Sequence, residues 1–169
     1  MAFSLIADTV CDSIYDLDVS ALKAAGIRLL LADLDNTLVP YGVALPTEEV
    51  REWNARLKAM GVTLFVLSNN RHADRPRIFS EGLEVPFIGH AGKPGVKNFY
   101  KAMEQMGVTP EQTALVGDQI FTDVLGGNRA GVTTVLVKPI RLAGNPGRYV
   151  RYAVELPFRL LSGRKEMQK

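Results

Sequence analysis

Apolar positions in this chain alternate between two periods. IRLLLADLD (27–35) is a nearly unbroken apolar run that stops at acids, as a strand covered on both faces would. After a short polar connection, Thr47 can cap a helix with Glu48 and Glu49 in its first turn. Val50, Trp53, Leu57 and Met60 then recur at helical spacing, and Gly61 supplies the stop. VTLFVLSNN (62–70) predicts a second strand, and residues 72–84 a helix with Pro76 in its first turn. VPFIG (85–89) predicts a short third strand. In GVKNFYKAMEQMG (95–107), Val96, Phe99, Tyr100, Met103 and Met106 share one helical face. TALVGD (113–118) predicts the fourth strand, QIFTDVLGGNRAG (119–131) a turn and helix, and VTTVLVKP (132–139) the last strand. This alternation predicts an α/β domain with a mostly parallel sheet between two layers of helices. The connections are nearly filled by their helices, so no large cap domain is expected and the strand ends should be open.

Composition changes this picture little. A length of 169 residues, 47% apolar and 8% aromatic, fits one globular domain over 1–169. Charge distribution adds more. Residues 1–137 carry a net −4 and residues 138–169 a net +6, a mildly acidic body with a basic, partly apolar tail from about 141. Cys11 is the only cysteine, which excludes an internal disulfide and a cysteine metal cluster. The start, MAFSLIADTVCDSIYD, meets acids too early for a signal peptide and lacks a basic leader. No apolar run approaches the roughly 18–20 residues needed to cross a bilayer. A cytoplasmic location is expected, and contact with the inner face of the membrane is compatible with it.

In a parallel sheet the carboxyl ends of the strands share one edge, where ligands bind. The first strand brings Asp33 and Asp35 to that edge, with Thr37 just beyond; the second brings Ser68, Asn69 and Asn70. Lys93 follows the third, and Asp118 and Asp123 the fourth. Four carboxylates in one crevice would repel one another unless a cation sat among them. With oxygen donors and no histidine or cysteine nearby, Mg²⁺ is the expected cofactor. A cation beside a lysine and a hydroxyl is also a phosphate site. There Asp33 could attack phosphorus, and Asp35 could serve as acid and then base.

These stretches resemble the haloacid dehalogenase (HAD) superfamily of phosphatases. DLDNT (33–37), SNN (68–70), KP (93–94) and GDQIFTD (117–123) are similar to its four motifs, in order. ADLDNTLV and VGDQIFTDVLGGNRAGVTTVLV resemble, more narrowly, its subfamily IIIA YqeG family, related to phosphatidylglycerophosphatases. The resemblance implies a Rossmannoid three-layer fold with a five-stranded sheet in the order 5-4-1-2-3. It implies Asp33 as phosphoryl acceptor and Mg²⁺ ligand, and Asp35 as acid/base, ligating Mg²⁺ through its carbonyl. Thr37 would brace the loop, Ser68 and Asn69 would lie against the substrate, and Ser68 would hold a phosphoryl oxygen. Lys93 would neutralise nucleophile and phosphate. Asp118 would complete the metal site, with Asp123 beside it or behind it.

Blander readings stand against some of these residues. Ser68 alone is a common strand ending, Lys93 alone a common solvated lysine, and Asp123 could simply cap a turn. His72 and His90 lack zinc spacing. Asn128 reads as a turn or packing device. The tail mixes Arg148, Arg151, Arg159, Arg164 and Lys165 with Tyr149, Val150, Val154, Phe158, Leu160 and Leu161. It can pack on the domain's flank or lie on an anionic membrane, and Pro157 is expected to interrupt any long helix in it. Basic residues without a stacking platform do not suggest nucleic acid.

The residues together with what the resemblance implies leave three functions open. One is a Mg²⁺-dependent phosphomonoesterase acting on a phospholipid headgroup such as phosphatidylglycerophosphate. Another is a phosphatase of a soluble sugar phosphate or nucleotide, which a homo-oligomer could help enclose. The third is a phosphate-binding or regulatory module without turnover.

Overall fold

The computed structural model describes residues 4–70, 74–141 and 146–166, without the side chains of 164–166. His72 and the side chains of Arg164 and Lys165 therefore lie outside the described residues. The chain runs β1 (Thr9–Cys11), α1 (Val19–Ala24), β2 (Leu29–Ala32), α2 (Glu48–Ala59), β3 (Thr63–Leu67), α3 (Asp74–Leu83), β4 (Phe87–Ile88), α4 (Lys97–Met106), β5 (Thr113–Gly117), α5 (Leu125–Ala130), β6 (Thr133–Val137) and α6 (Pro146–Glu166). A π-helical turn, Ile120–Val124, precedes α5.

All strands pair in parallel, in the order β1-β6-β5-β2-β3-β4. The five expected strands take the expected order, and β1 adds a sixth at the edge beside β6. A three-residue, half-buried strand carries too little pattern to be found in sequence. β2 lies at the centre, and every residue from Leu29 to Ala32 is fully buried. Successive side chains of a strand point to opposite faces. Leu30 and Ala32 accordingly pack with Trp53 and Leu57 of α2 and Phe79 of α3. Leu29 and Leu31 pack with Phe99 and Met103 of α4 on the other face.

Local signals formed as the sequence implies. The Thr47 hydroxyl accepts from Val50 N–H at 3.3 Å. Pro76 sits third in α3, where no intrahelical N–H is needed. Asn128 donates to the carbonyls of Ser4 and Ile6, tying the N-terminal segment to α5.

The tail differs from expectation. α6 continues through Pro157 for 21 residues. Proline removes one backbone donor and crowds the carbonyl four residues earlier. Both Pro157 and Ala153 face solvent, where water can satisfy that carbonyl. The opposite side of α6 is pinned: Ser162 accepts from Ala7 N–H at 2.9 Å, and Glu155 accepts from Ile120 and Phe121 N–H at 3.0 and 3.3 Å. Phe158 adds an edge-on contact with Phe121 at 6.1 Å between ring centres. No helix among the described residues is long and apolar enough to cross a membrane.

Candidate active site

Strand register brings the acids together. Ala32 of β2 lies opposite Val66 of β3 and Val116 of β5. One further step along β2 reaches Asp33, and two further along β3 and β5 reach Ser68 and Asp118. Asp33 N–H donates to Val116 carbonyl at 3.0 Å, so its backbone is held by the sheet itself. The chain then turns through Asn36 at φ 63°, a left-handed conformation that asparagine tolerates. Asn36 secures the turn by accepting from Tyr41 N–H on its side chain and from Ile140 N–H on its carbonyl.

Lys93 is the centre of the charge network. Its Nζ donates to Asp33 Oδ1 and Asp123 Oδ1, both at 2.7 Å, and all three residues are buried. Asn69 holds the Lys93 backbone on both sides, donating to its carbonyl and accepting from its N–H at 2.9 Å each. The second oxygen of Asp123 accepts from Gln119 N–H at 3.1 Å. Gly117 makes that position available, because a Cβ there would lie 2.4 Å from Asp123 Cγ.

Carboxylate oxygens of Asp33, Asp118 and Asp123 lie within 4.8 Å of one another. Three buried acids face one ammonium, which leaves the cluster short of positive charge. Burial raises Asp33 to a pKa of about 6, opposed by Lys93 and reinforced by Asp123. Asp118 is also raised, first by burial and then by Asp33 and Asp123. Burial works to lower Lys93, but Asp123 and Asp33 outweigh it and raise its pKa above the usual lysine value. An all-oxygen donor set with surplus negative charge fits a hard divalent cation.

Asp35 faces a different neighbourhood. Arg75 of α3 pairs with its Oδ1, and Asn70 donates to Oδ2 at 2.9 Å. Ser68 accepts from Asn70 N–H at 3.1 Å, and Thr37 reaches Asp118 at 3.5 Å, at the limit of a hydrogen bond. The Asp35 carboxylate therefore stands beside the acidic cluster and not within it. Arg75 was not anticipated from sequence, because an arginine in the first turn of a helix carries no motif. Arg159 was not assigned to the site either. It donates to the Asp118 carbonyl and pairs with Glu155 at 3.1 Å, bracing the strand end from behind.

Two adjoining clefts open over Asp33. One of about 490 Å³ is lined by Asp33, Lys93, Asn69, Gln119, His90 and Arg151, among others. Its neighbour, about 310 Å³, is lined by Asp33, Asp35, Asn70, Tyr41 and Arg148. Among the described residues no large cap is present, yet α6 brings two arginines to the rim that the tail's composition alone did not place there.

Residues 90–139 match the HAD-hydrolase-like family model. The chain is 36% identical over 160 residues to the probable phosphatase YqeG of Bacillus subtilis, covering 95% of this chain and 91% of that protein. It is 30% identical to the chloroplastic phosphatidylglycerophosphate phosphatase 1 of Chlamydomonas reinhardtii, covering 77% of this chain and 51% of that protein. Among solved structures, the cobalt-bound deoxy-D-mannose-octulosonate 8-phosphate phosphatase of Haemophilus influenzae superposes with a TM-score of 0.51 at 19% identity, covering 85% of this chain and 93% of that one.

Proposed function

The chain belongs to the HAD-like phosphatase family that includes YqeG, and from that premise we propose a Mg²⁺-dependent phosphomonoesterase that works through an aspartyl phosphate on a phosphatidylglycerophosphate-type lipid. The observation that carries the reaction is Lys93 Nζ bridging Asp33 and Asp123 beside Asp118 at the sheet edge. Asp33 and Asp118, with the Asp35 carbonyl, would hold the cation. Asp123 stands behind them and aims Lys93. When bound, Mg²⁺ would neutralise the acids and the phosphoryl oxygens.

In the first step an Asp33 oxygen attacks phosphorus, the ester P–O bond breaks, and the leaving oxygen takes a proton from Asp35. In the second, water attacks the same phosphorus and gives its proton back to Asp35. The Asp33–phosphorus bond then breaks and phosphate leaves. Ser68 and the Lys93 ammonium donate to the phosphoryl oxygens throughout. Asp35 has both oxygens engaged by Arg75 and Asn70, so each proton transfer requires one partner to give way.

The lipid reading is supported by relatedness to the algal enzyme and by the outer face of α6. Val150, Val154, Leu160 and Leu161 are all exposed there, Val150 at 65% and Leu160 at 63%, on a segment rich in arginine. Such a face would enter the interface of an anionic bilayer while its arginines met lipid phosphates. Asp33→Asn is expected to lower Mg²⁺-dependent phosphate release by about 10⁴-fold, and undiminished turnover would defeat the covalent route. Phosphatidylglycerophosphate in mixed micelles should be preferred over a panel of soluble sugar phosphates and nucleotides. A strong preference for a soluble compound would remove the lipid assignment.

A further inference from the structure

The arginines near the site divide into two kinds. Arg75 and Arg159 are neutralised by Asp35 and Glu155. Arg148 and Arg151 form no ion pair among the described residues, although both line the clefts over Asp33. They lie three residues apart near the start of α6, on neighbouring positions of one helix face.

Each is held in place by a neutral partner. Arg148 stacks over the Tyr41 ring at 4.3 Å, which fixes the guanidinium plane and leaves its N–H edge available. Arg151 donates to the side-chain oxygen of Gln119, whose own N–H is fixed by Asp123. Glu155, the acid nearest in sequence on α6, is already engaged by Arg159 and by Ile120 and Phe121 N–H. Two oriented guanidinium groups that form no ion pair among the described residues, each facing a cleft, are able to receive an anion. They are separate from Lys93, which sits on the floor between Asp33 and Asp123.

We propose that Arg148 and Arg151 form a subsite for a second phosphate on the substrate, a phosphodiester joined through a glycerol to the monoester that Asp33 attacks. This rests on the phosphatase reading and specifies what distinguishes its substrate. Asp33, Asn69 and Gln119 line both clefts, so one phosphate can meet the nucleophile while the other reaches the rim. A guanidinium pair binds a diester through its two free oxygens, whereas an uncharged leaving group offers them nothing.

The test uses two soluble substrates, so that acyl chains and bilayer contact play no part. One is glycerol 3-phosphate; the other is the same compound carrying a methyl phosphodiester on its far hydroxyl. The wild-type chain with Mg²⁺ should prefer the diester by about tenfold or more in kcat/KM, chiefly through KM. Arg148→Gln with Arg151→Gln should bring that preference to within about twofold, lowering the diester's kcat/KM far more than that of glycerol 3-phosphate. Arg151→Gln alone, at an exposed position, should give part of the same loss and serves if the double variant folds poorly. A preference that survives in the variants, or equal losses on both substrates, would overturn the subsite. If wild-type protein released phosphate from neither compound nor from an aryl phosphate, the phosphatase reading itself would fall.

Discussion

The floor and the rim of the cleft use positive charge in opposite ways. On the floor, Lys93 is buried and pinned between two carboxylates, each at 2.7 Å. On the rim, Arg148 and Arg151 are half-buried and exposed, and only neutral groups hold them. Charge on the floor balances the protein's own acids and aims them. Charge on the rim is left for something that arrives. Disturbing the floor should therefore damage folding and chemistry together, while disturbing the rim or the helix behind it should change recognition alone.

Lys93→Met is the most severe break. It leaves buried acids without their cation and should cost roughly 3–5 kcal/mol in metal-free protein, read by urea unfolding. A loss below about 1 kcal/mol would mean that the acids rearrange or take up protons freely.

Gly117→Ala tests the floor without altering any charge. Its Cβ would collide with Asp123, displacing the residue that aims Lys93. Turnover should fall by about ten- to a hundredfold with only about 1–3 kcal/mol of lost stability, and thermal unfolding beside steady-state rates would separate the two.

pH should move the floor in a defined direction. The Asp33 carboxyl titrates at about 6 when folded against 3.8 as its ordinary value, so between these values the folded state holds a proton that the unfolded state has lost. Stability of the metal-free chain should therefore fall as pH rises through that window. Asp118 shifts in the same sense. Lys93 contributes no slope there, since its raised pKa keeps it charged in both states. A divalent cation held by these carboxylates would have to displace those protons, so the rise in Tm on adding Mg²⁺ should be small near about pH 5 and larger near about pH 7.5. Equal shifts at both values would show that the cation does not contact these acids.

The smallest structural effect belongs to the outside of α6. Val154→Glu with Leu161→Glu should change stability by only about 0.5 kcal/mol per site, because both side chains are exposed. On the lipid proposal the wild-type chain should co-sediment with phosphatidylglycerol vesicles and this variant should not. Equal sedimentation of the two would show that the outer face of α6 is not a membrane contact.

How much of this was legible in the sequence depends on whether a feature is local. The β2 run, the Thr47 cap and the Pro76 position are set by neighbours a few residues away, and each formed as its pattern implies. The site acids were legible because parallel strands end on one edge whatever fills the helices. β1 was missed because three half-buried residues have no clear period. The helix through Pro157 was missed because its stability comes from Glu155 and Ser162 accepting from distant backbone N–H groups and from Phe158 meeting the Phe121 ring, which together outweigh one lost hydrogen bond.

The sequence by itself determined the alternation of strands and helices, the buried central strand, and the order of acids and lysine along the sheet edge. Those follow from periodicity and chain connectivity. Only the tertiary structure decided which arginine serves which acid. Arg75 reaches Asp35 across 40 positions and Arg159 reaches the Asp118 carbonyl across 41, while Arg148 and Arg151 are left facing the cleft. An arginine's long side chain and its charge look the same at every position in a sequence. Whether that charge is consumed or available depends on which carboxylates the fold brings within reach.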